Sequence, residues 1–194
     1  MLYIGSHVSY LKNSQLLGSV KESMSYGSSV FMFYTGSNIA IEFEKIPDAI
    51  LAYYEKNKDL TEEVSILIGT DSQNFEQTKC VSVICVIAKS HGGIFFYEIS
   101  RIPLIRDVRR KLYMETNDSL NLATALVEML ESDEKYHQMY SECPISIHID
   151  AGNSDRGKTK ELIPSLIGWV KAMGFPAKVK PESTACCVAD KLSK

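Results

Sequence analysis

Short apolar stretches separated by polar turns dominate residues 64–100 and predict β-strands. The strands are expected over residues 64–71, 80–88 and 93–100, which are rich in β-branched or aromatic side chains. Because the connections between them are short, neighbouring strands should pair antiparallel as a meander.

Helical spacing follows the meander and then alternates with single strands. A long helix is predicted over residues 105–131, because apolar side chains recur along one of its faces. Strands over residues 144–150 and 177–180 alternate with helices over residues 158–173 and 183–192. This order predicts an α/β fold with a five-stranded mixed sheet, in which three antiparallel strands are followed by two parallel ones and helices cover both faces.

The first sixty residues have a simpler pattern of two strand–helix units. Strands are predicted over residues 2–8 and 30–34, a helix between them, and a second helix that begins at Pro47. The polar segment 56–63 has the composition of a linker. The chain is therefore expected to consist of a small βαβα extension over residues 1–60 and a larger domain over residues 62–194.

Composition places the chain among ordinary globular proteins. With 45% hydrophobic and 23% charged residues, it is not of the disordered, collagen-like or coiled-coil class. It contains no apolar run of the roughly 18 residues that a membrane span needs and no signal-peptide pattern. The five cysteines form no CxxC pair, so neither a disulfide framework nor a zinc site is expected. A cytoplasmic location is therefore expected.

Acidic residues end two central strands of the predicted sheet. Asp71 ends the first strand of the meander, and Asp150 ends the fourth strand. Ligands of α/β proteins bind at strand ends. Either aspartate alone is explained as a turn-capping residue, but two of them on adjacent strands indicate a site.

Two further acidic residues lie on predicted helices. The spacing of the long helix places Glu115 on its core-facing stripe. A carboxylate in that position needs a partner or a metal, so a salt bridge to Arg109 or Lys111 is the structural alternative. Asp190, in the last helix, indicates little by itself. Together the four carboxylates offer the oxygen ligands that Mg²⁺ and Mn²⁺ prefer and that two-metal phosphodiester hydrolysis requires.

Basic residues supply candidate contacts to nucleic acid. Net charge is −3, which argues against bulk binding of polyanions but permits a local basic patch. Five basic residues between positions 101 and 111 either contact phosphates or form a solvated helix start. A second group follows Asp150 in a glycine-containing loop that opens a helix. The residues predicted to bind nucleic acid are Arg106, Arg109, Arg110, Lys158 and Lys180.

Four motifs over residues 64–194 resemble the YkuK-like family of predicted RNase H-related nucleases. They are IGTDSQ at 68–73, RKLYMETNDSLNLA at 110–123, HIDAGNSDRGKTKELI at 148–163 and KPESTACCVADKLSK at 180–194. The resemblance implies an RNase H-like sheet and a metal-dependent nuclease. It also implies that Asp71 bridges two metal ions, that Glu115 and Asp150 are further ligands, and that Asp190 is the fourth acid, a place for which Glu182 competes.

The N-terminal segment resembles a different family. YIGSHVS at 3–9 and the stretch 16–37 are similar to the start of endonuclease IV, a zinc AP endonuclease built on a TIM barrel. Such a barrel needs eight strands, and the metal ligands of that family lie on later strands, so its activity is not implied. The resemblance places His7 beside the DNA-binding face of that family. A structural or DNA-docking extension is expected.

Three classes of function are compatible with these observations. The first is a nuclease that uses Mg²⁺ or Mn²⁺ on RNA, DNA, a hybrid or a junction, as an endo- or exonuclease. The second is a nucleotide-binding protein of the actin or sugar-kinase type, but such proteins bind ATP between two domains, and this chain has room for one. The third is a non-catalytic binding module on the same fold, against which the four acids argue. The sequence favours the nuclease, with a nucleic-acid partner and no membrane contact.

Overall fold

A computed structural model describes residues 32–152 and 159–194 of the chain. Its strands are β1 (Met32–Thr35), β2 (Ala40–Glu42), β3 (Val64–Asn74), β4 (Thr78–Ala88), β5 (Gly92–Ile102), β6 (Ile145–Gly152) and β7 (Ala177–Lys180). Over these residues the seven strands form one sheet in the order β2-β1-β5-β4-β3-β6-β7. The meander β3–β4–β5 is antiparallel, whereas β6 pairs parallel to β3 and β7 pairs parallel to β6.

The helices of the described residues are α1 (Ile46–Asn57), α2 (Val108–Ser132), α3 (His137–Glu142), α4 (Ile163–Ala172) and α5 (Thr184–Ser193). Helix α2 begins at Val108, three residues after its predicted start. The Asp107 side chain accepts a hydrogen bond from the Arg110 backbone N–H at 2.6 Å, and this bond caps the helix. No helix in this part of the chain combines the length and apolar character needed to cross a membrane.

Different helices cover the two faces of the sheet. On one face, Ile68, Ile84 and Ile147 belong to the main core. Helices α1, α2 and α4 contribute Ile50, Leu126 and Leu166 to that core. On the other face, a smaller cluster joins β3, β4 and β5 to helix α5; it comprises Leu67, Val81, Val83, Cys85, Tyr97, Ala185 and Ala189. Strands β3 and β4 are therefore buried on both faces, which explains their nearly continuous apolar sequence.

The predicted α/β sheet with flanking helices is confirmed, but its predicted count of five strands is wrong. The hairpin β1–β2 extends the sheet beside β5, where Tyr34 pairs with Tyr97. This pairing covers backbone groups of β5 that would otherwise form an open sheet edge. Strand β2 and helix α3 were not predicted, because each is too short for a clear periodic pattern.

The N-terminal part contributes to the same sheet and core. Phe33 on β1 and Ile46, Ile50 and Tyr54 on α1 are buried within the main cluster. A boundary between residues 60 and 62 stays a prediction. The strand predicted over residues 2–8, the helix predicted after it, His7 and Lys158 lie outside the described residues.

Candidate active site

Asp71 lies inside strand β3 and faces helix α5. The strand continues to Asn74, beyond its predicted end, because β3 and β4 remain paired up to Asn74 and Thr78. The Asp71 side chain is buried, and its Oδ2 accepts a hydrogen bond from the Ser193 hydroxyl of α5 at 2.9 Å. This bond ties the end of the last helix to the middle of the sheet.

Asp150 lies on the same face as Asp71. The parallel strands β3 and β6 are in register up to Gly69 and His148, and each aspartate lies two residues further along its own strand. Side chains two residues apart on a strand share a face. In the structure the Asp150 carboxylate forms a 2.5 Å ion pair with the Lys180 ammonium group at the end of β7.

Asp190 reaches this face from helix α5. It lies one helical turn before Ser193 and Lys194. Its Oδ2 forms a 2.7 Å ion pair with the Lys194 ammonium group. Glu182, the competing residue, is exposed before the start of α5. The charge of Asp190 raises the pKa of Asp71.

Burial is the main influence on the acidity of Asp71. It raises the pKa of the carboxyl group, and the Asp150 and Asp190 carboxylates raise it further. The hydrogen bond from Ser193 and the charge of Lys111 act in the opposite direction. Asp71 is thus a buried acid surrounded by like charges, an arrangement that a bound cation would relieve.

Glu115 approaches β3 from the opposite face, on helix α2. It is 6% exposed, and its Oε1 accepts a hydrogen bond from the Ser72 hydroxyl at 2.6 Å. Burial, with the charges of Asp71 and Asp150, raises its pKa to about 8. Its hydrogen-bond partner is Ser72, so the alternative of a salt bridge to Arg109 or Lys111 is not what the structure shows. The Lys111 ammonium group instead donates to the Ser72 backbone carbonyl.

The donor set fits a hard cation by its chemistry, although the ligands are not assembled. Within residues 32–152 and 159–194, no group of three or more His, Cys, Asp or Glu side chains is arranged to hold a metal ion. Glu115 and Asp71 lie on opposite faces of β3, and the carboxylates of Asp150 and Asp190 form ion pairs with lysines. Carboxylate oxygens are nevertheless the ligands that Mg²⁺ and Mn²⁺ prefer.

The position of helix α5 depends on Gly69 and His148. A Cβ atom at Gly69 would lie 3.0 Å from Cys186 Sγ and 3.1 Å from Ala185 Cβ. His148 Nδ1 accepts a hydrogen bond from the Ala185 backbone N–H at 3.1 Å, and burial lowers the pKa of His148 to about 4, so the ring is neutral near pH 7. These contacts were not predicted; a glycine inside an apolar strand is the signal that points to close packing.

The predicted nucleic-acid contacts lie at two places in the described chain. Arg106, Arg109 and Arg110 are exposed around the start of α2, and no ion pair among the described residues involves them. Lys180 is exposed and pairs with Asp150. The first group is thus free to contact a ligand, whereas Lys180 also belongs to the acidic site.

Comparison with known proteins agrees with this architecture. The sequence profile of a family described as Ribonuclease H-like matches residues 45–194. The Bacillus subtilis (strain 168) protein named "Uncharacterized protein YkuK" is 26% identical over 172 residues, which cover 84% of this chain and 98% of that protein. These matches confirm the resemblance of the larger part.

Two weaker similarities concern other proteins. "Probable endonuclease 4" of Ureaplasma urealyticum serovar 10 is 45% identical over 64 residues, and the chain spans only 21% of its length. Among solved structures, the Mos1 transposase catalytic domain with Raltegravir and Mg matches 69% of this chain and 57% of that chain at 12% identity. Its TM-score of 0.26 is too low to establish a common fold.

Proposed function

The chain belongs to the Ribonuclease H-like family, and from this premise we propose that it is a divalent-metal-dependent nuclease that hydrolyses phosphodiester bonds of RNA, DNA or a hybrid. The observation that carries the proposal is the buried Asp71 carboxyl group, whose pKa is raised by burial and by two neighbouring aspartates. Titratable groups perturbed in this way cluster at functional sites.

Asp71, Asp150 and Asp190, which lie on one face of the sheet, would hold Mg²⁺ or Mn²⁺, and Glu115 would have to move around β3 from the opposite face to join them. Two such ions, when bound, supply an activated water molecule and stabilise the leaving oxygen of a phosphodiester. All four side chains offer oxygen atoms only, and Asp71 interacts electrostatically with each of the other three. Their mutual repulsion supports the proposal, because it is the quantity that a divalent cation reduces.

Other residues of the site keep the acids in place. The Ser193 hydroxyl orients Asp71, and the Ser72 hydroxyl orients Glu115. Lys180 and Lys194 neutralise Asp150 and Asp190. Cation binding would have to compete with these two ammonium groups, so metal affinity should depend on where the two lysine side chains lie.

The substrate would be held by basic side chains. The exposed Arg106, Arg109 and Arg110 at the start of α2, together with Lys158 and Lys180, would contact phosphates.

All five cysteines are free thiols. Free thiols are typical of a reducing compartment, which supports a cytoplasmic location.

Cleavage assays on labelled RNA, DNA and hybrid substrates test the proposal. Activity should require Mg²⁺ or Mn²⁺ and should disappear in EDTA. Asp71→Asn, which nearly preserves the shape of the side chain, should lower the rate by several orders of magnitude. Asp59→Asn removes an exposed acid between α1 and β3 and serves as the matched control, with activity expected to remain.

A non-catalytic nucleic-acid-binding module is the second candidate. It is favoured by the ion pairs of Lys180 and Lys194, which neutralise two of the acids without a metal. If the unmodified protein binds these substrates but cleaves none of them with either metal, the module replaces the nuclease.

A further inference from the structure

A groove beside the candidate active site has no role in the proposed metal binding by the acidic residues. Its lining residues are Phe75, Glu76, Gln77, Lys79, Arg101 and Lys194, and the open groove has a volume of about 390 Å³. We call it the hairpin groove, since its first residues form the turn between β3 and β4. Its volume is within the range of roughly 300–1,000 Å³ that is typical of small-ligand sites.

The hairpin groove is continuous with the face that carries Asp71. Gln73, two residues after Asp71 on β3, pairs with Lys79, and Lys79 pairs with Arg101 on β5. Two residues along a strand span roughly 7 Å. From α5, Ser193 contacts Asp71 and the next residue, Lys194, lines the groove. A chain lying across Asp71 would therefore enter this groove.

The groove combines positive charge with an exposed aromatic ring. Three of its six lining residues are basic and one is acidic, although the whole chain has a net charge of −3. Phe75 is 59% exposed at the tip of the turn. Within the described chain, the side chain of Arg101 has no hydrogen-bond or ion-pair partner, so its guanidinium group is available to a ligand.

Basic side chains and an exposed ring are the recognition elements of single-stranded nucleic acid. Positive groups follow the phosphates, and unpaired bases stack on aromatic side chains. An acidic peptide would use the same cations but would leave the ring of Phe75 without a stacking partner. A duplex keeps its bases stacked on each other and would also leave the ring unused.

We propose that the hairpin groove binds an unpaired stretch of the nucleic-acid substrate, with Phe75 stacking on a base and Arg101 contacting a phosphate. Lys79 has a structural part in this arrangement, because its ammonium group donates to the Leu192 carbonyl at 2.7 Å and holds the end of α5. Glu76 opposes phosphate binding. The inference rests on the proposed nuclease function, since it identifies single-stranded substrate as the class that the same surface accepts.

Binding in EDTA tests the groove without any cleavage. Fluorescence anisotropy of a labelled oligothymidylate and of an oligouridylate should show Phe75→Ala weakening binding about tenfold, and Phe75→Trp restoring it. Arg101→Gln should weaken binding severalfold and lower the salt dependence by about one phosphate contact. Glu76→Gln should strengthen it. Met173→Ala and Lys89→Gln, at exposed positions outside the groove, are the matched controls and should change nothing.

Two comparisons separate failure of the groove from failure of the nuclease. Unchanged oligonucleotide affinity in both Phe75→Ala and Arg101→Gln would overturn the groove, even if the unmodified protein cleaves nucleic acid. Affinity lost in both variants supports the groove, even if no cleavage is found with Mg²⁺ or Mn²⁺. Equal competition by polyglutamate and by an oligonucleotide of the same charge, or tighter binding of a blunt duplex, would also overturn it.

Discussion

Each acid of the candidate site has its own neighbour, and that neighbour determines how the acid can act. Asp71 accepts a hydrogen bond from the Ser193 hydroxyl, whereas Asp150 and Asp190 form ion pairs with lysine ammonium groups. Glu115, with a pKa of about 8, holds its proton over most of the neutral range. A divalent cation would change all of these states together, because it lowers the free energy of the ionised carboxylates.

Cation binding should therefore stabilise the folded chain. At a hundredfold excess over the dissociation constant, a ligand of the folded state adds about 2.7 kcal/mol. For a chain of this size that corresponds to a rise in Tm of roughly 5–10 °C. Thermal unfolding with Mn²⁺ and with EDTA should show the rise in the unmodified protein and in Asp59→Asn but not in Asp71→Asn. A similar rise in Asp71→Asn would exclude Asp71 as a ligand.

A second group of acids should make stability depend on pH. Burial, with the charge of Asp118, raises the pKa of Glu98 on β5 to about 7, and burial raises that of Asp118 to about 6. Because the folded state then holds protons that the unfolded state releases, stability should fall as pH rises from about 4.5 to about 8. At pH well below the ordinary pKa values of 4.5 for Glu98 and 3.8 for Asp118, both states are protonated and the difference vanishes.

Glu98→Gln should remove part of this pH dependence. The variant should have a Tm a few degrees above that of the unmodified protein at pH 8 and a similar Tm at pH 4.5, measured by thermal unfolding over pH 4.5–8.5. Glu134→Gln, at an exposed acid, should follow the unmodified protein. A Glu98→Gln curve parallel to that of the unmodified protein would show that Glu98 ionises normally in the folded state.

At the scale of elements, the site depends on how closely helix α5 approaches strand β3. The helix carries Asp190 and Ser193, and its first turn packs against Gly69 and His148. No side chain larger than that of glycine fits at position 69 without movement of Ala185 and Cys186. A larger side chain at position 69 of β3 would therefore displace helix α5 and, with it, Asp190 and Ser193.

Gly69→Ala should destabilise the fold and disturb the site. The extra methyl group should cost about 1–3 kcal/mol, because the neighbouring helix must shift. The stabilisation by Mn²⁺ should also decrease, because Asp190 and Ser193 move with the helix. Gly168→Ala on α4 is the matched control: no atom lies within 4 Å of its added Cβ, so its stability should stay equal or increase. Denaturant unfolding of both variants measures the difference, and equal stabilities would refute the packing argument.

At the scale of the whole molecule, the N-terminal hairpin and α1 complete one sheet and one core. Phe33, Ile46, Ile50 and Tyr54 are buried against strands that lie after the predicted boundary. Tyr136, after helix α2, also donates a 2.8 Å hydrogen bond to Asp48 of α1. The fragment 62–194 contains the five strands β3 to β7 but lacks these contacts.

Comparison of the fragments 32–194 and 62–194 measures what residues 32–61 contribute. We expect the shorter fragment to fold cooperatively but with a free energy of unfolding several kcal/mol lower, since burial of one large apolar side chain contributes about 1.5–3 kcal/mol. Urea unfolding followed by circular dichroism gives both values. An unfolded shorter fragment would contradict the boundary at residues 60–62, and equal stabilities would show that α1 adds nothing.

Local patterns predicted most elements of the larger part. The strands of the meander, the helix that carries Glu115 and the two parallel strands follow from apolar periodicity, which reflects burial on one or both faces of an element. The same periodicity predicted correctly that Glu115 is buried. It missed strand β2 and helix α3, which are only three and six residues long.

From the sequence alone follow the order of the elements from β3 onward, apart from the short helix α3, the burial of Glu115 and the family, because these depend on neighbours within one element or on whole motifs. Only the tertiary structure decided that β1 and β2 join the sheet beside β5, that Ser72 is the partner of Glu115, and that Ser193 bonds to Asp71. Asp71 and Ser193 are 122 residues apart. No periodicity relates residues so distant, because their contact depends on how two separate elements pack across the sheet.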